Sequence, residues 1–232
     1  MFWGPWYYDA TIILVIIGSV ISLVASGYMQ STYNKYGQIG NKAGITGAQF
    51  AALMMKQQGL DNVRIQAIAG NLSDNYNPRN KSLNLSQTTY SQASIGAIGV
   101  AGHEVGHAMQ DEVSYWAFMA RSWLVPITNI GSRLSFPIIL VGALFQGDFL
   151  VNIGLVLFSL TLVFNVVTLP VELNASKRAL ASIEGLRVLT PEELKGARKV
   201  LRAAALTYVA AIAASLLSLL RMVALFGNRR RN

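Results

Sequence analysis

The stretch Val100 to Gln110 reads VAGHEVGHAMQ and holds both of the chain's histidines, His103 and His107. Residues four apart on a helix project from one face, one turn above the other. Two imidazoles so placed reach a single zinc ion at about 2.0–2.1 Å each. Glu104, one residue along, points beside such an ion and can take a proton from a water that the metal activates. The plainer alternative is two satisfied helix histidines with a surface glutamate between them. Against it stands the neighbourhood: Val100, Ala101, Val105, Ala108 and Met109 are uncharged, and Gly102 and Gly106 leave room for another backbone to approach.

A catalytic zinc takes three protein ligands and keeps one position for water or substrate. With no third His and no Cys in the chain, the third ligand has to be a carboxylate. Asp111 and Glu112 follow on the same helix, but three ligands in a row along a straight helix converge poorly on one ion. Glu172, in LPVELNASKRAL, is the better candidate. It directly follows an apolar run, where a carboxylate is costly unless used or paired. Its competing role is an ion pair with Lys177 or Arg178. A donor to a developing oxyanion is a further need, for which Tyr76, Asn174 and Arg178 are candidates. The segment Ser82 to Ser86 reads as a strand that could pair with an extended substrate, or as an ordinary sheet strand. Ligand spacing favours zinc without excluding iron, cobalt or manganese.

The elements that must carry these residues are unusual for a soluble domain. Of 232 residues, 53% are hydrophobic and 13% charged, against about 25% charged in an average soluble domain. The absence of Cys excludes a disulfide framework, thiolate metal sites and a thiol nucleophile. Four apolar runs, about 10–29, 124–145, 149–171 and 203–226, are each long enough to cross a bilayer as helix. Pro126, Arg133 and Pro137 interrupt the second. The first lacks the basic flank of a signal peptide and reads as an uncleaved anchor, with Trp3, Trp6, Tyr7 and Tyr8 as an interfacial belt.

Fourteen of the 19 basic residues fall in two segments. Lys35, Lys42, Lys56, Arg64, Arg79, Lys81 and Arg121 lie between the first two runs. Lys177, Arg178, Arg187, Lys195, Arg198, Lys199 and Arg202 lie between the last two. The positive-inside rule then puts 30–123 and 172–202 in the cytoplasm, with both chain ends outside. The Arg229, Arg230, Arg231 tail runs against that rule. Within the first segment, Thr46 caps a helix that Gly59 stops, Val63 to Ala67 is a short strand, and two strands flank the Asn77-Pro78-Arg79-Asn80 turn. A helix is expected from about Tyr90 to Glu112. Thr190-Pro191-Glu192-Glu193 opens another, with a capping box, that feeds directly into the fourth run.

The segments SIGAIGVAGHEVGHAMQ, LVPITNIGS, LPVELNASKRAL and GARKVLRAAALTYVAA, with NYNPRNKSLNLS upstream, resemble the YugP-like family of bacterial membrane zinc metallopeptidases. That family in turn resembles HtpX and the CAAX prenyl proteases. The resemblance implies zinc on His103 and His107, Glu104 as catalytic base and Glu172 as third ligand. HtpX-like enzymes carry Asp, as a partner that orients a ligand histidine, where this chain has Ser176. The expectation is a mainly α, polytopic membrane protein, 1–232 as a single domain with about four spans, a cytoplasmic zincin-like helix and a small β-sheet. It would be a multi-pass bacterial membrane endopeptidase with one Zn2+ per chain, acting on membrane or membrane-proximal polypeptides. A non-catalytic zinc scaffold or chaperone-like protein is the alternative. Nearly charge-free spans argue against a metal transporter, and the absence of a recognition motif argues against a nucleic-acid partner. Substrate identity and oligomeric state are not legible.

Overall fold

A computed structural model describes residues 10–227. The expected aromatic belt at Trp3 to Tyr8 and the arginines at 229–231 lie outside the described residues. Seven helices and three strands follow in the order α1 (Ile12–Gly37), α2 (Gly47–Gln58), β1 (Arg64–Ile68), β2 (Asn75–Asn77), β3 (Ser82–Ser86), α3 (Gln87–Ser91), α4 (Ile95–Glu112), α5 (Trp116–Leu144), α6 (Asp148–Gly185) and α7 (Pro191–Phe226). The four helices α1, α5, α6 and α7 are long and apolar enough to cross a membrane. Each takes up all, or all but one or two residues, of one apolar run and continues beyond it without a break.

The described chain forms two compact units. One comprises residues 10–24, 123–166 and 208–227. Apart from the turn at 145–147 it is mostly apolar helix, and many of its large side chains point outward: Ile16, Leu23, Ile130 and Val156 are all at least half exposed, as lipid-facing residues are. Small residues let its helices touch. Gly154 of α6 lies so close to Ile139 of α5 that a methyl group there would meet its side chain at 2.4 Å. Pro126 and Pro137 sit inside α5 without ending it, a tolerance typical of membrane helices.

The second unit comprises residues 25–122 and 167–207 and contains every candidate site residue. Its core joins Phe50 and Met54 of α2, Leu83 and Leu85 of β3, Ile98 and Val105 of α4, and Ile183 of α6, all fully buried. Local sequence sets the element ends. Thr46 accepts from the Gln49 amide while Gln49 accepts from the Thr46 amide, a complete capping box, and Gly59 closes α2 at φ 68°. The Thr190 and Glu193 pair does the same at the start of α7, where the Glu193 carboxylate also accepts from the Lys42 amide at 2.8 Å.

Two expectations change. The helix expected from Tyr90 is two helices, because Ser94 accepts from the Ala97 amide and starts α4 afresh. The strand Ser82–Ser86 is not available to a substrate along its length. β3 is the central strand of the order β1-β3-β2, paired in parallel with β1 over all five residues and antiparallel with β2 over Ser82 to Asn84. Beyond Asn84, where the β2 pairing ends, the Ser86 amide donates to Asp74 Oδ1 at 2.7 Å.

Candidate metal centre

The site begins with a helix contact that only small residues permit. Gly102 and Gly106 form one stripe of α4, and Ala175 and Ala179 form one stripe of α6. A Cβ at Gly106 would lie 2.6 Å from the Ala175 carbonyl oxygen, and one at Gly102 would lie 3.4 Å from the Ala179 methyl. The residues beside these stripes are thereby brought face to face. From α4 come His103 and His107; from α6 come Glu172 and Ser176, also four apart.

The geometry is convergent. His103 Nε2 is 3.0 Å and His107 Nε2 is 3.7 Å from the same carboxylate oxygen, Glu172 Oε2. One donor atom from each of the three residues lies within 4.8 Å of the others. All three side chains are largely buried, Glu172 at 3% exposure. The rings are held from behind. His103 Nδ1 is 3.1 Å from Ser176 Oγ, and His107 Nδ1 is 2.9 Å from Gln110 Oε1. Phe118 of α5 packs over His107 with ring centroids 6.0 Å apart.

The hydrogen on His107 follows from a chain of bonds. Arg178 Nε donates to Asn174 Oδ1 at 2.8 Å, which fixes which end of that amide is oxygen. Gln110 Nε2 donates to the same Asn174 Oδ1 at 3.0 Å and to the Val171 carbonyl at 2.8 Å. Gln110 therefore turns its oxygen to His107, whose Nδ1–H donates to it. With Nδ1 engaged by Gln110, Nε2 is the nitrogen of His107 left for a metal, and it faces Glu172 Oε2 at 3.7 Å. A tetrahedral zinc at about 2.0–2.1 Å from each ligand sets them roughly 3.3 Å apart, a value that the observed 3.0 and 3.7 Å bracket. The buried Glu172 Oε1 accepts no well-aligned hydrogen bond, although Arg121 Nη1 approaches it to 3.1 Å. The donor set thus fits zinc: two imidazoles and a carboxylate, with no fourth His, Cys, Asp or Glu joining the group among the described residues.

Glu104 is buried at 8% exposure, not the surface residue of the plainer alternative, and among the described residues none hydrogen-bonds its carboxylate. Burial raises its pKa above the usual carboxylate value, against the opposing pull of His107 and His103. For His103, burial disfavours the charged ring, but the Glu172 hydrogen bond and the Glu104 and Glu172 charges outweigh it, and its pKa stands above the ordinary histidine value.

The remaining candidates have other work. Asp111 accepts from the Tyr76 hydroxyl at 2.7 Å and from Lys81 Nζ at 2.6 Å, apart from the ligand group, and Glu112 is exposed. Burial, and then the Asp111 bond, hold the Tyr76 hydroxyl above its usual pKa, so it remains a donor. Asn174 and Arg178 act through Gln110 on His107. Glu172 pairs with neither Lys177 nor Arg178 but with Arg121. Gln110 and Arg121 were not singled out by sequence reasoning. Gln110 was within reach of it, three residues after His107 on the same helix face. Arg121 was not, because its proximity to Glu172 comes only from the packing of α5 beside α6.

These features define a mainly helical protein with four helices able to cross a membrane and a helix-borne group of two histidines and one carboxylate able to hold a metal ion. Residues 11–227 match the family model described as "Putative neutral zinc metallopeptidase", and the chain belongs to that family. It is 40% identical over 220 residues to the "Putative membrane protease YugP" of Bacillus subtilis (strain 168), covering 94% of this chain and 97% of the relative. The family resemblance drawn from the motifs is borne out. No solved structure matches the chain.

Proposed function

We propose that the chain is a zinc-dependent endopeptidase that hydrolyses membrane or membrane-proximal polypeptides on the cytoplasmic side of a bacterial membrane. The observation that carries this reading is the convergence of His103 Nε2 and His107 Nε2 on Glu172 Oε2, with the buried Glu104 beside them. His103, His107 and Glu172 hold the ion. When bound, zinc supplies Lewis acidity, which acidifies a water toward neutral pH and polarises a carbonyl.

Glu104 takes the proton from the attacking water and returns it to the leaving amine. A carboxyl whose pKa is raised by burial is a stronger proton acceptor once ionised, which suits this task. Gln110 and Ser176 keep both rings turned so that Nε2 faces the ion. Four helices able to cross a membrane tether this machinery and favour substrates that share the bilayer or its surface. The cytoplasmic side rests on the two basic segments.

The test is Glu104→Gln. The variant should keep one zinc per chain by elemental analysis, yet cleave casein or a membrane-derived peptide at least about 10²-fold more slowly. Undiminished turnover rejects Glu104 as the base. A wild-type chain that binds zinc and cleaves no peptide supports the non-catalytic scaffold instead.

A further inference from the structure

Outside the metal centre, α6 and α7 enclose a groove of about 420 Å³. Three cations line it: Lys177 from α6, and Arg198 and Arg202 from α7. All three are exposed. None makes an ion pair or hydrogen bond with any described residue, although Arg178, beside Lys177, is engaged by Asn174. The single carboxylate in the groove, Glu184, is likewise unengaged and leaves a surplus of positive charge. Apart from Ser176 the remaining lining is apolar, with Leu173 half exposed, Leu180 partly exposed and Leu201 buried.

The groove lies where two membrane-length helices change character. On α6, Lys177 follows within two turns of the apolar run that ends at Val171. On α7, Arg198 and Arg202 immediately precede the apolar run that begins at Ala203. Unpaired cations on an apolar floor call for a ligand with an anionic head and a hydrocarbon body. A soluble anion would satisfy the cations and leave the exposed Leu173 in water. We propose that this groove binds one anionic phospholipid, its phosphate held by Lys177, Arg198 and Arg202 and its acyl region directed along the exposed Leu173 toward the apolar run that ends at Val171. Basic pockets between membrane helices are suited to such head groups. One further residue gives the groove a bearing on the metal centre: buried Ser176 lines it and also stands 3.1 Å behind the His103 ring. The proposal does not rest on peptide hydrolysis, since a chain without that activity would carry the same groove.

Native mass spectrometry of the full zinc-loaded chain in detergent tests it, with phosphatidylglycerol, phosphatidylcholine or inorganic phosphate added. Phosphatidylglycerol should stay bound and phosphatidylcholine should not. A basic side chain beside an anionic lipid surface strengthens binding about fivefold. The triple variant Lys177→Gln, Arg198→Gln, Arg202→Gln should therefore weaken phosphatidylglycerol binding about 100-fold, while Arg198→Lys with Arg202→Lys should retain it. A control triple at exposed cations outside the groove, Lys56→Gln, Arg64→Gln, Arg79→Gln, should change it by no more than about twofold. Equal losses in both triples would reduce the effect to general positive charge and overturn the site. Equal retention of phosphatidylcholine would overturn the anionic preference. Displacement of the lipid by equimolar phosphate would make the groove a site for free phosphate. Zinc content reports folding throughout; if the groove triple loses zinc, the single variants Arg198→Gln and Arg202→Gln, each expected to cost about fivefold, carry the test.

Discussion

At the scale of single residues, the centre is organised as much by what stands behind the histidines as by the histidines themselves. Gln110 can accept from His107 only because Val171 and Asn174 take both of its amide hydrogens, and Asn174 is fixed in turn by Arg178. Removing the acceptor frees the ring to rotate or to move its hydrogen to Nε2, where it would block the metal. Gln110→Leu, close in volume but unable to accept, should lower zinc affinity by roughly 10–100-fold in competition with a chelator, and Ser176→Ala should act in the same range through His103. Glu172→Ala removes a ligand outright and should leave the purified chain with well under one zinc. If its stoichiometry were unchanged, another carboxylate would have to serve as the ligand. Of this layer the sequence displayed the motif and, by its position after an apolar run, Glu172. It displayed Ser176 only as a departure from a family pattern. The Gln110–Asn174–Arg178 chain was illegible because amide orientation depends on which acceptors surround it in three dimensions. For the same reason Asn174 and Arg178 read as oxyanion donors.

At the scale of elements, the decisive event is the close crossing of α4 and α6. The sequence announced half of it: Gly102 and Gly106, spaced like the two histidines, mark a face of α4 where backbone can approach. Which helix would fill that face was not written there. The answer, α6 through Ala175 and Ala179, depends on a contact between residues about 70 positions apart. Short-range signals fared well for a physical reason: capping boxes and a positive-φ glycine act within one turn. The central position of β3 is a long-range pairing that no local pattern specifies. Gly106→Val places a branched side chain where even a Cβ would meet the Ala175 carbonyl at 2.6 Å. Overpacking of this kind costs about 1–3 kcal/mol, and the strain has to part α4 from α6 or deform one of them. The variant should lose zinc affinity and thermal stability together, although no ligand has changed. Gly185→Ala, at the end of α6 with open space around it, should do neither. Normal zinc content in Gly106→Val would show that the helices can separate without moving Glu172 from the imidazoles.

At the scale of the whole molecule, orientation across the bilayer follows from charge. The basic residues of the 30–123 and 172–202 segments outnumber those of every other stretch, and transferring such segments across a membrane is disfavoured. The fold makes this prediction cleanly testable, because the chain has no Cys and any introduced thiol is unique. Gln57→Cys places one on the exposed face of α2, and Gly147→Cys places one in the short turn between α5 and α6, with no steric conflict at that position. In intact bacterial cells, a membrane-impermeant maleimide should label Gly147→Cys and spare Gln57→Cys until the cells are permeabilised. The reverse pattern would put the metal-bearing segment outside, and with it every peptide bond that Glu104 could reach. The measurement also bears on the lipid groove. Lys177, Arg198 and Arg202 belong to the second basic segment, so the side that protects Gln57→Cys is the leaflet whose anionic lipids those three cations would meet.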